Sequence, residues 1–138
     1  MKVEPYLVFE GRCDEAIAFY KQALNAELEM LMRFKDNPEP PPGTQSPEIA
    51  EKVMHASMMI GETRVMLSDG RNGGPSQLGF KGVTLTIAAN SDDEAKRLFT
   101  ALSDGGQVHM PLTKTFFSSS FGLVADRFGV SWMLLVRK

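Results

Sequence analysis

The sequence holds a single cysteine, Cys13, only two histidines, one tryptophan and no basic run. One cysteine forms no internal disulfide and supplies no cysteine-rich zinc site, which fits a reducing compartment. The net charge of −2 with no basic run gives no long-range attraction for nucleic acid or anionic lipid. Met1-Lys2 leads straight into the apolar residues Tyr6 to Phe9, without an extended apolar segment or a small-residue cleavage site. No later run is long enough to span a bilayer. The expectation is a cytoplasmic protein with neither a nucleic-acid nor a membrane partner. A nucleophile elbow, triad spacing and a phosphate-cradling glycine loop are also missing.

With 43% hydrophobic residues in 138, the chain can bury one sizeable core and is too short for two ordinary domains. Tyr6 to Phe9 reads as a strand stopped at Gly11. Asp14 to Leu24 reads as a helix, because Ala16, Ile17, Tyr20, Ala23 and Leu24 recur on one face. Glu27 to Phe34 follows as a strand. The prolines at 38, 40, 41, 42 and 47 then predict a long mobile loop over 35–52, a position suited to a lid. Val53 to Ile60 and Thr63 to Ser68 flank Gly61-Glu62 as a hairpin. Residues 69–81 are rich in glycine and polar side chains and read as a linker.

The same order then recurs. Val83 to Ala88 is a strand, and Ser91-Asp92-Asp93-Glu94 has the form of a capping box opening a helix. Ala95, Leu98, Phe99 and Leu102 form its apolar stripe, and Gly105-Gly106 stops it. Strands follow at Gln107 to Leu112, within Phe116 to Ala125, and at Val130 to Val136, the last two joined by a turn at Asp126-Arg127-Phe128-Gly129. In the last strand Trp132 and Leu134 alternate with Met133 and Leu135. Both faces are largely apolar, as for a strand covered by a helix on one side and lining a core or cavity on the other. The halves also correspond residue by residue. Asp14-Glu15-Ala16 matches Asp93-Glu94-Ala95, 79 positions later, and Arg64-Val65-Met66-Leu67 matches Ser131-Trp132-Met133-Leu134. A tandem repeat of βαβββ units explains both the order and the correspondence.

Such tandem modules resemble the vicinal oxygen chelate superfamily, which includes glyoxalase I, extradiol dioxygenases, fosfomycin-resistance enzymes and bleomycin-binding proteins. Tyr6-Leu7-Val8-Phe9-Glu10-Gly11, Glu15-Ala16, Phe19-Tyr20, Met54-His55-Ala56, Ser68-Asp69, Met110-Pro111-Leu112, Phe121-Gly122 and Asp126 to Met133 are similar to its PhnB-like branch. The resemblance implies one α+β glyoxalase-like domain, with module one at about 1–70, a linker at about 70–81 and module two at about 82–138. It further implies paired half-barrels around a U-shaped cavity, and a homodimer. PhnB-like proteins often carry a ubiquinone methyltransferase label. Here no strand runs into a glycine-rich loop that would hold S-adenosylmethionine.

Metal-dependent members carry His, Gln or Glu on the first and fourth strand of each module. Those positions hold Pro5 or Tyr6 and Met66 in the first module, and Val83 or Thr84 and Met133 in the second, with Thr84 and Thr86 as the expected cavity pair. Thioether, hydroxyl and alkyl groups make a poor cage for a hard cation, so no cofactor is expected. Strand alternation sets His55, Ser57 and Met59 on the less apolar face of their strand. With Met66, Thr84, Phe116, Phe117 and Met133 they make up the candidate cavity residues. A lesser possibility is a divalent ion at a displaced site built from His55, Asp69 and His109, where His55 could also act as a base. Asp69 after a strand and Asp126 in its turn read first as structural, and Cys13, with no base in view, as an idle thiol.

Three functions follow. The first is a metal-free protein binding a small, partly apolar molecule. The second is a divalent-metal isomerase or lyase with a displaced site. The third is a structural domain whose cavity is filled by its own side chains.

Overall fold

Leu7, Leu67, Ala56 and Leu31 stand in register across four strands, and the first three of them are buried. They mark the covered face of the first sheet in the computed structural model of the chain, which describes residues 1–39, 43, 46–70 and 79–138. The chain divides into two compact units, Met1–Leu78 and Gly79–Lys138. Each has a core of its own.

In the first unit, β1 (Tyr6–Val8) leads to α1 (Cys13–Leu24), β2 (Glu27–Arg33), α2 (Pro47–Ala50), β3 (Val53–Ile60) and β4 (Thr63–Ser68). The sheet order is β1-β4-β3-β2. The β1–β4 pair is parallel, and the other two pairs are antiparallel. Helix α1 lies on β2 and β3 and buries the expected Ala16, Ile17, Tyr20, Ala23 and Leu24. Asn25 ends it in the left-handed conformation at φ 54°, one of the few such positions an asparagine accepts readily.

The second unit repeats this plan with β5 (Thr84–Ala88), α3 (Asp92–Ser103), β6 (Gln107–Thr113), β7 (Ser118–Ala125) and β8 (Ser131–Arg137). Its sheet order, β5-β8-β7-β6, is the same arrangement shifted by one module. Ser91 caps α3, its hydroxyl accepting from the Glu94 amide at 3.1 Å, while the Glu94 carboxylate accepts from the Asn90 amide at 3.0 Å. The buried stripe is the expected Ala95, Leu98, Phe99 and Leu102. Gly122 on β7 lets that helix close on the sheet, since a Cβ there would come within 2.8 Å of the Phe99 ring. Pro111 is accommodated because β6 is an edge strand. The expected α+β class and the tandem βαβββ order both hold, and each sheet is open rather than a closed barrel.

The loop expected over 35–52 is more structured than its prolines suggest. Phe34–Asp36 forms a turn of 3-10 helix, and Phe34 is buried. Helix α2 begins with Ser46 as its cap and Pro47 in its first turn, where a missing amide costs nothing. Lys35 pairs with Glu51 at 3.0 Å, Arg33 reaches both Asp14 and the Glu51 carbonyl, and the Lys52 ammonium donates to the Gly11 carbonyl. These ties correct the expectation of one uninterrupted mobile loop. Residues 40–42, 44 and 45, and 71–78 of the expected linker, lie outside the described residues.

Asp126 is structural, as the turn pattern suggested. Its Oδ1 accepts from the amides of Phe128 (2.9 Å) and Val130 (3.1 Å), and its Oδ2 accepts from Trp132 Nε1 at 2.9 Å. Trp132 therefore belongs to the helix-covered core, beside Val124 and Leu134.

Candidate functional site

The face of the first sheet opposite α1 is built by register. Tyr6 pairs with Met66, Met66 with Ser57 and Ser57 with Met30, so these four side chains share one side. His55 pairs with Met32, and Met59 with Arg64, on the same side. This face brings together four expected residues, His55, Ser57, Met59 and Met66, and adds Tyr6, Met30, Met32 and Arg64.

The Tyr6 hydroxyl lies 3.1 Å from His55 Nδ1, with the rings 5.5 Å apart. If the phenol donates, the imidazole proton sits on Nε2. If Nδ1 donates, the phenol proton is free and Nε2 is an acceptor. In either tautomer the pair offers a ligand one donor and one acceptor. Tyr6 is about half exposed and His55 partly so. Thioethers of Met66 and Met32 stand beside this polar pair in the register.

Toward the other end of the face, Arg64 donates through Nε to Glu29 at 2.8 Å and lies 3.6 Å from Glu4. Ser57 donates to the same Glu29 carboxylate at 3.4 Å. The guanidinium bond holds the Glu29 carboxyl below its ordinary range. Met59 and Arg64 line a groove of about 310 Å³ with Glu4 and Thr63.

Asp69 is structural, as it read first, and it serves two separate elements. It is fully buried, and its two oxygens accept from the backbone amides of Cys13 and Val53, each at 2.7 Å. Both oxygens are engaged in joining the start of α1 to the start of β3, which takes Asp69 out of the displaced site suggested with His55, whose imidazole is partnered by Tyr6. Cys13 is fully buried, and burial, reinforced by the Asp69 charge, pushes its thiol far up from the ordinary range.

The second sheet carries the remaining candidates. Thr86 pairs with Met133, with Oγ1 and Sδ 3.9 Å apart, and Met133 pairs in turn with Leu123. The residue in register with Met133 is thus Thr86, so Thr86 is the counterpart of Tyr6. Thr84 instead pairs with Ser131, their hydroxyls 3.2 Å apart. Phe116 is 91% exposed ahead of β7, stacked edge-on against Phe117, which meets Phe121 in the same way. Phe116 and Phe117 line neither groove. His109 lies exposed within β6.

The positions at which the superfamily would hold a metal are therefore Tyr6 with Met66 and Thr86 with Met133. A phenol, a hydroxyl and two thioethers do not fit a hard divalent cation. Among the described residues no three His, Cys, Asp or Glu side chains form a group that could hold an ion. A nucleotide-like methyl donor is equally ill served. The junctions from β1 to α1 and from β5 to α3 contain one glycine, Gly11, where the glycine-rich loop expected for S-adenosylmethionine would carry several. Among the described residues no helix is long and apolar enough to cross a membrane.

Two open mixed sheets, each with one covering helix of twelve residues, define a glyoxalase-like protein. The fold is shared with a glyoxalase-related enzyme from Fulvimarina pelagi (16% identity, TM-score 0.64, covering 99% of this chain and 88% of that one). Residues 1–135 match the family described as 3-demethylubiquinone-9 3-methyltransferase, and the chain belongs to that PhnB-like family. It is 36% identical to Protein YjdN of Escherichia coli over 100% of this chain and 97% of the relative. Protein PA1353 of Pseudomonas aeruginosa has 41% identity and a TM-score of 0.85, covering 99% and 98% of the two chains. The PhnB protein of Bacillus cereus has 27% identity and a TM-score of 0.78, covering 99% of each.

Proposed function

We propose that the chain binds a small, partly apolar molecule on the open face of its first sheet, without the superfamily's divalent metal. The observation that supports this most is the Tyr6–His55 pair set among the Met66 and Met32 thioethers. A donor and an acceptor surrounded by deformable apolar side chains suit a ligand with one carbonyl or hydroxyl on an aromatic or aliphatic body. The methyl transfer in the family's description is not part of this reading, since the strand-to-helix junctions lack a cradle for the donor. The metalloenzyme reading is left with His55 on this face, because Asp69 is committed to two amides. Assembly as a homodimer belongs to the same proposal, supported by the exposed apolar residues Met30, Val108, Met110 and Phe116. A cytoplasmic location also belongs to it, and rests on the lone cysteine.

The test uses 4-hydroxyacetophenone as probe and methyl-labelled methionine, followed by NMR. Binding shifts the Met66 and Met32 signals in the wild type. His55→Ala weakens it about tenfold, the loss of roughly one buried hydrogen bond, and Tyr6→Phe weakens it by a smaller factor. Equal affinity in the wild type and His55→Ala would remove the proposed seat.

A further inference from the structure

The second unit has a groove of about 450 Å³ at the start of its sheet, between the segment that precedes β5 and the turn from β7 to β8. Its volume falls in the range of small-molecule sites. Phe80, Val83 and Ala125 give it an apolar wall, and Lys81, His109 and the Thr84–Ser131 pair supply the polar side chains. Among the described residues no aspartate or glutamate lines it, although the chain as a whole carries net negative charge. The Lys81 and His109 side chains have no hydrogen-bond or ion-pair partner among the described residues. Thr84 Oγ1 donates to Ser131 Oγ, which leaves the Ser131 hydroxyl proton available.

We infer that this groove is a second ligand site, taking a small organic carboxylate whose apolar body rests on Phe80 and Val83. Its carboxylate is met by the Lys81 ammonium and the Ser131 hydroxyl, with an imidazole donor from His109. One lysine and neutral donors match a monoanion. A phosphate dianion calls for more positive charge or for a converging set of backbone amides. The site shares no residue with the Tyr6–His55 face, so it stands independently of the function proposed above.

Phenylacetate and its near-isosteric neutral amide, phenylacetamide, separate charge recognition from apolar contact. In amide-detected NMR of the full chain at low salt, phenylacetate should shift Thr84, His109 and Ser131, and should bind at least about fivefold more tightly than phenylacetamide. Lys81→Gln should abolish that preference, and Lys81→Arg should keep most of it. Lys81 is on the surface, so neither change threatens folding. The inference is overturned by equal binding of acid and amide, by a preference that survives Lys81→Gln, by shifts that fall on Tyr6 and His55 instead, or by no shift with about 10 mM phenylacetate, a level at which even millimolar affinity would show.

Discussion

Asp126→Ala lowers the unfolding free energy by about 3 kcal/mol and the melting temperature by about 10 °C. The carboxylate is 3% exposed and accepts from two backbone amides of its own turn and from the indole of Trp132. Truncation leaves those donors without their acceptor in a site where water has little room. The penalty is therefore the desolvation of the donors rather than the loss of one modest bond. Trp132 is the chain's single tryptophan, so its fluorescence reads the same interaction directly: the emission maximum should shift as the indole loses its partner. Asp126→Asn should fall between. Its amide oxygen can still serve the Phe128 and Val130 amides, but its NH2 group then faces the indole N–H, donor against donor. A variant within about 1 kcal/mol of the wild type, with unshifted emission, would show that the turn holds without this carboxylate.

Asp69→Ala should cost a similar amount, about 3 kcal/mol, measured by urea denaturation. Its two oxygens hold the first amide of α1 and the first amide of β3 at 2.7 Å each, so the loss falls on the junction of helix and sheet. A second readout comes from Cys13. In the wild type its thiol is fully buried, and burial followed by the Asp69 charge raises its pKa. A thiol reagent at pH 8 should therefore leave it unmodified for as long as the chain stays folded. Removing Asp69 takes away both a negative charge and the tie that seals the helix start. Cys13 should then become reactive under conditions in which the variant is still mostly folded. Unchanged stability together with an unreactive thiol would contradict the role given to Asp69.

Local patterns made the fold readable. The α1 and α3 stripes, the Ser91 cap and the Gly61 hairpin each depend on residues within a dozen positions of one another. Element ends differ by at most two residues. The proline-rich stretch misled because proline was read only as a breaker, whereas Pro47 behind a Ser46 cap begins a helix.

The candidate site was readable in part. Alternation alone set His55, Ser57 and Met59 on one face. Setting Tyr6 beside Met66 and within reach of His55 requires the β1–β4 pairing, a contact between strands 60 positions apart (Tyr6↔Met66). The approach of Glu29 to Ser57 and Arg64 depends on an irregularity between Leu28 and Met30 that no alternation rule contains. Arg64 could have been found by stepping two residues back from Met66. Asp69 and Asp126 show the limit from the other side: a carboxylate after a strand is an ordinary turn signal, and only the fold reveals how many amides it serves.

The central claim is that a small molecule is held by the Tyr6–His55 face without a divalent ion. One titration tests it directly: 4-hydroxyacetophenone added to methyl-labelled protein in EDTA, then repeated with added zinc or nickel. The account predicts saturable shifts of Met66 and Met32 in EDTA that are unchanged by either metal. Shifts that appear only when metal is supplied, and disappear when EDTA is restored, would contradict it.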